Sequence, residues 1–260
     1  MFKKAAMCLA AAAVFALPAV AQTVDEIIAK SIEARGGEAK LRAVKTIRLT
    51  GRVEIAPGMA APTTMVIKRP EMVRMEFSLQ GMTAIQAFDG KDGWSVMPFQ
   101  GKKDAEPMAA DDVKEFREQA DLDGPLMDYR TKGNTVEYIG KDKVEGSDAY
   151  KLKVTKKNGN VETMFIDADT GLEVKNTRKT KIQGNEQEVE STFSDFRNVD
   201  GLIFPFSIET GAAASPQKQK IIVDKIEVNP EVADGQFHMP PPSAPAEAPK
   251  PAEKPGTSRR

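Results

Sequence analysis

MVRMEFSLQGMTAIQAFDGKDGWSVM, Met72 to Met97, alternates apolar and polar side chains in short runs broken at Gly81 and at Asp89-Gly90-Lys91-Asp92-Gly93. Val73, Met75, Phe77 and Leu79 share one face, and Arg74, Glu76 and Ser78 the other, which is the period-two pattern of a half-buried strand. Asp-Gly supplies the positive-φ residues that hairpins need, so the stretch predicts neighbouring antiparallel strands, with Trp94 and Val96 alternating on one face after the turn.

The same pattern extends in both directions. Before it lie Thr46 to Ile55 and Thr64 to Arg69, the latter with Met65, Ile67 and Arg69 on one face. After it come Thr135 to Ile139, Tyr150 to Lys156, Val161 to Ile166, Leu172 to Ile182, Glu188 to Phe196, Leu202 to Glu209 and Gln219 to Val228. Tyr150, Leu152 and Val154 oppose Lys151, Lys153 and Thr155, so the sheet has a dry side and a wet side. Two helical pieces accompany it. Val24, Ile27, Ile28, Ser31 and Ile32 keep helical spacing up to the stop at Arg35-Gly36-Gly37, and Ala109 to Ala120 sets Val113, Phe116 and Ala120 on one face. Two short helices cover only part of so wide a dry face, so the sheet either closes on itself or leaves an apolar concavity beneath a helical cover.

The ends read differently. Residues 1–21, with Lys3 and Lys4, an apolar stretch to Leu17 and Ala19-Val20-Ala21, form the three-part pattern of a secretory signal peptide cleaved after Ala21. Its removal takes the only cysteine, Cys8, and with it any thiol nucleophile or thiolate metal site. After Met239, seven of the 17 prolines and no large apolar residue predict a disordered tail over 240–260, leaving 22–239 as the folded domain. Two of the 37 basic residues leave with the leader and 38 acidic ones stay, a balance that gives no footprint for nucleic acid.

Catalytic and metal chemistry find little to work with. The single histidine, His238, lies at the tail junction. Counted as calcium loops, the turn at Asp89 offers Lys91, Gly93 and Gln100 where oxygen ligands are required, and the turn at Asp167 offers Gly171 and Arg178. Both read as turns. Asp195 and Asp200 are the best carboxylates for a hydrolase, but alternation sets most acids on a solvated face. The expectation is a non-enzyme with no cofactor and no metal. Methionines at Met59, Met65, Met72, Met75, Met82 and Met97 suit either an adaptable ligand wall or ordinary core filling. Arg69 either finds acceptors, such as the free carbonyls at a covering helix's end, or turns out to solvent before Pro70.

Lys68-Arg69-Pro70 between two strands, Asp89-Gly90-Lys91 leading to Trp94 and Pro98-Phe99, and the closing Phe237 and Pro240 resemble the LolA-like periplasmic outer-membrane lipoprotein carriers, over roughly residues 24–242. Val73 departs from the aromatic residue common at its place, and the proline-rich tail is additional. The resemblance implies a mainly β (α+β) fold: an incomplete antiparallel β-barrel of about 11 strands with a helical lid carrying Val113 and Phe116. It implies an apolar cavity, assigned to Met65, Ile67, Val73, Met75, Phe77, Leu79, Trp94, Val96, Leu152 and Val154, with Arg69 gating the lid. The expected function is a monomeric periplasmic carrier of lipid or lipoprotein acyl chains, served by membrane-bound donor and acceptor proteins. The alternative is an envelope-stress sensor or scaffold that holds a protein partner.

Overall fold

The structure, a computed structural model, describes residues 23–56, 58–182 and 185–241. The leader at 1–21 and the tail beyond residue 241 lie outside the described residues. Among those described, no helix is long and apolar enough to cross a membrane.

Helix α1, Val24–Ala34, starts at a capping box in which the Thr23 hydroxyl accepts from the Glu26 N–H and the Glu26 carboxylate accepts from the Thr23 N–H. It ends where the chain turns at Gly36, whose φ is +121° and where a Cβ would stand 2.4 Å from the Gly201 carbonyl oxygen. Only glycine permits that approach. A second, six-residue helix, α2 at Glu38–Ala43, follows at once.

Thirteen strands then form one antiparallel sheet. The first six are β1 (Thr46–Ala56), β2 (Met59–Lys68), β3 (Met72–Leu79), β4 (Met82–Phe88), β5 (Gly93–Met97) and β6 (Lys102–Pro107). Helix α3, Ala110–Gln119, leads out of this half, and residues 120–134 carry the chain to the other. There follow β7 (Thr135–Val144), β8 (Ser147–Thr155), β9 (Val161–Asp167), β10 (Glu173–Ile182), β11 (Asn185–Val199), β12 (Leu202–Ala212) and β13 (Gln219–Val228). The order across the sheet is β6-β5-β4-β3-β2-β1-β13-β12-β11-β10-β9-β8-β7. Two meanders of sequential hairpins thus meet at one seam, where β1 lies against β13 with Ile47 opposite Val228. Among the described residues β6 and β7 are the unpaired edges of the sheet, so the barrel is incomplete.

The sheet has more strands than the 11 or so expected, and the one without a sequence signal is β6, KKDAEP, which has no alternation to announce it. It is held by its backbone pairing to β5 and by its position after the turn at Pro98–Gln100.

Among the described residues, the three α-helices lie on the inner face. Helix α1 buries Ile27 and Ile28 against Leu152, Val154, Met164 and Ile166 of β8 and β9. Leu41 of α2 packs with Val44, Met127 and Leu202. Phe116 of α3 packs with Val73, Phe88 and Ala120, flanked by Met65, Ile67, Met75 and Val113. Each fully buried Leu, Phe or Met side chain contributes about 1.5–3 kcal/mol by leaving water, so the helices are held by their apolar stripes.

Candidate functional site

Arg69 stands directly after β2, its N–H bonded to the Lys45 carbonyl at 2.9 Å. Its guanidinium meets Asp123 in a two-pronged pair, Nη1 to Oδ2 at 2.8 Å and Nη2 to Oδ1 at 2.6 Å. The same group donates through Nε to the Val44 carbonyl at 2.6 Å and through Nη2 to the Leu41 carbonyl at 3.4 Å, satisfying acceptors left open at the end of α2. The structure thus places Arg69 on buried acceptors rather than in solvent. Beside it the Asp123 carboxyl is held below the usual carboxylate range, chiefly by the hydrogen bonds from Arg69. A second tie acts on the same loop: Lys132 Nζ reaches Asp121 Oδ2 at 2.5 Å and the Gly124 carbonyl at 2.7 Å.

The loop so clasped is one wall of a cavity of about 250 Å³. Asp121, Leu122 and Leu126 close it on one side and Leu41 on another, while Met164, Leu172, Phe193, Phe196 and Leu202 line it from the sheet. Ser31 and Arg35, at the end of α1, complete the rim. Arg35 is fixed there because its carbonyl accepts from the Ile203 N–H at 3.0 Å and its Nη1 donates to the Asp123 carbonyl at 3.3 Å. A further carboxyl stands in this largely apolar lining: Glu173 is pushed up to about 7 by burial. The burial that lowers Arg35's proton affinity is opposed by the nearby negative charge of Glu173.

No family model and no curated protein matches the chain. Solved structures do. A LolA superfamily protein from Nitrosomonas europaea superposes with a TM-score of 0.54 at 14% identity, covering 84% of this chain and 98% of its own. The fold is LolA-like. A DUF1329 family protein from Desulfovibrio piger gives a TM-score of 0.57 at 12% identity, with 83% and 97% covered. An outer membrane lipoprotein-sorting protein domain from Vibrio parahaemolyticus gives 0.54 at 10% identity, with 81% and 94% covered.

Within this LolA-like sheet, the residues expected to line the cavity are placed elsewhere. Met65, Ile67, Val73 and Met75 are on the inner face, but α3 sits on them through Val113 and Phe116. Phe77 meets Phe99 edge-on at 6.0 Å, and Leu79 ends its strand half-buried. Leu152 and Val154 are sealed beneath α1. None of them lines the 250 Å³ space.

Trp94 and Val96 require a larger correction, because they lie on the outer face. Directly opposed residues share a face. Trp94 pairs with Ala87, Ala87 with Arg74 and Arg74 with Val66; Val96 pairs with Ile85, and Ile85 with Glu76. That face is dry here because the chain's last segment covers it: Trp94 Nε1 donates to the Phe237 carbonyl at 2.7 Å, and Phe237 packs on Val66 and Val232. An aromatic strand residue therefore marks buried surface without saying which side is buried.

The two acidic turns behave as turns. Asp89 Oδ1 accepts from the N–H groups of Lys91 and Asp92, and Asp167 Oδ1 from those of Asp169 and Thr170. Asp195 is bound by its neighbour Arg197. Sequence reasoning also missed the anchor of α3: Lys156 Nζ pairs with Glu118 of α3 at 2.6 Å and Glu162 of β9 at 3.0 Å. The helix thus packs on one half of the sheet and is tethered to the other. The missed cavity wall had one signal, the density of phenylalanine at 193, 196 and 204.

Proposed function

We propose that the protein is a carrier that takes up the acyl chains of a lipid or lipoprotein in the cavity beneath its helices, without covalent chemistry. One observation carries this: the wall of the cavity at Asp121 to Leu126 is the segment that Arg69 holds through Asp123. A lipid chain entering there displaces the loop and strains the Arg69 pair, so filling and unlatching are one event. The LolA-like fold supports this, and the leader pattern at 1–21 supports action in the periplasm.

Each methylene withdrawn from water contributes about 0.8 kcal/mol. Ten of them give roughly 8 kcal/mol, set against an association cost of about 4 kcal/mol or more. Reversible binding follows, and release needs an acceptor that competes for the chain. The test is organic extraction and mass spectrometry of the purified protein, with titration of a fluorescent fatty acid. Co-purifying lipid and saturable binding are expected; empty protein that also ignores the probe would overturn the proposal.

A further inference from the structure

Glu173 stands on a face that its own strand would deny it. Glu173 and Lys175 are two residues apart, and in a regular strand both would point the same way. The pairing shifts between them: Glu173 is opposite Ile166, whereas Lys175 is opposite Phe165. Val174 is the extra residue of a β-bulge, a device that re-aims a side chain. Lys175 consequently lies outside, its Nζ 5.2 Å from the centre of the Phe165 ring, and Glu173 enters the cavity wall beside Leu172 and Met164.

Once there, it is poorly bonded. Its side chain has one hydrogen-bond partner among the described residues, Asn176 Nδ2, which donates to Oε1 at 2.9 Å. Among the described residues no cation approaches within ion-pair distance; Arg35 from the end of α1 and Lys156 beyond β8 act only from farther off, as does the acid Glu162, while Asp121 lines the same cavity. Asn176 faces inward opposite Met164 and Ser191. Its Oδ1 is the one buried side-chain polar atom among the described residues that has no partner. A bulge spent on bringing a carboxyl into an apolar wall, next to an unpaired amide oxygen, is costly unless something arrives to bond with it.

We propose that Glu173, held in place by Asn176, forms a head-group subsite of the cavity, taking an uncharged hydrogen-bond donor, a hydroxyl or amide N–H, borne by an acyl amphiphile. This rests on the carrier reading above and adds which amphiphiles are preferred. A hydroxyl or amide donates to the Glu173 oxygen that Asn176 leaves free.

The experiment is displacement of a fluorescent fatty acid from the full chain by 1-monolauroylglycerol, lauramide and methyl laurate, which share one chain length. The two donors are expected to compete about tenfold more tightly than the donor-less ester, and their comparison separates hydroxyl from amide. Glu173→Leu should erase that difference while methyl laurate binds as before; Glu173→Gln, which keeps shape and hydrogen bonding, should retain it at both pH 6 and pH 8. Equal affinity for donors and ester in the unaltered protein overturns the subsite but leaves the carrier standing. So does a preference that survives in Glu173→Leu, or one that is lost in a folded Glu173→Gln. If methyl laurate and the probe do not bind at all, the carrier reading fails and this one with it.

Discussion

Replacing Arg69 by leucine removes two charged hydrogen bonds to Asp123 and two to the carbonyls of Leu41 and Val44 while keeping an apolar stem. The pair is neither surface nor core, with side-chain exposures of 30% for Arg69 and 14% for Asp123. Exposed pairs are worth about 0–1 kcal/mol, and breaking a buried one costs about 3–5 kcal/mol. An intermediate loss of about 2–3 kcal/mol is expected in urea unfolding. Adding Asp123→Leu should recover about 1 kcal/mol or more, because the stranded carboxylate is then gone. Arg69 holds the Asp123 carboxyl below its ordinary value near 3.8, so the latch contributes above that pH and is lost as pH falls through the lower, folded value. It should therefore hold across the neutral range. The decisive assay is the release rate of a fluorescent fatty acid by stopped flow. If 1.4 kcal/mol of the loss falls on the closed loop, release quickens about tenfold. Lowered stability with unchanged release would refute the latch and leave Arg69 a structural residue only.

Glu173→Gln should alter the pH dependence of stability. The carboxyl rises from 4.5 to about 7 on folding, so the folded state keeps a proton that the unfolded chain gives up, and stability falls as pH climbs through that window. The substitution should flatten the slope and gain roughly 3 kcal/mol at pH 8 over the parent protein; identical slopes in paired urea titrations at pH 5 and pH 8 would contradict it. Phe116→Ala, which empties the contact of α3 with Val73 and Phe88, should cost about 3–5 kcal/mol in the same assay. Trp94→Phe should cost about 1 kcal/mol through its lost bond to the Phe237 carbonyl and leave acyl-chain affinity unchanged. A weaker affinity in that variant, measured by fluorescent fatty acid titration, would put Trp94 back in the cavity.

Much of the sheet was legible because alternation is a local property. Met72 to Leu79 shows its two faces within eight residues, and the structure forms β3 over the same span. The α3 stripe of Val113, Phe116 and Ala120 was equally plain. What failed was long-range. No local pattern tells that the segment around Phe237 returns to cover the outer face of β5, or that α1 seals Leu152 rather than leaving it open. The site divides in the same way. Arg69 announced itself by breaking an apolar face, yet its partner Asp123 lies 54 positions away in a stretch without periodicity. Glu173 reaches the cavity through a single inserted residue, and a bulge leaves no trace in composition or spacing.

The seam between β1 and β13 fixes when this molecule can be finished. The first strand must wait for the last: Ile47 finds its partner only when Val228 has been delivered, after every intervening hairpin. Contacts so distant along a chain close slowly, and until they do, each meander presents an unprotected flank suited to pairing with a stranger. A chain cut short before Gln219 would keep two such flanks in the middle of its sheet. Its natural fate is aggregation or proteolysis, however well its individual hairpins have formed.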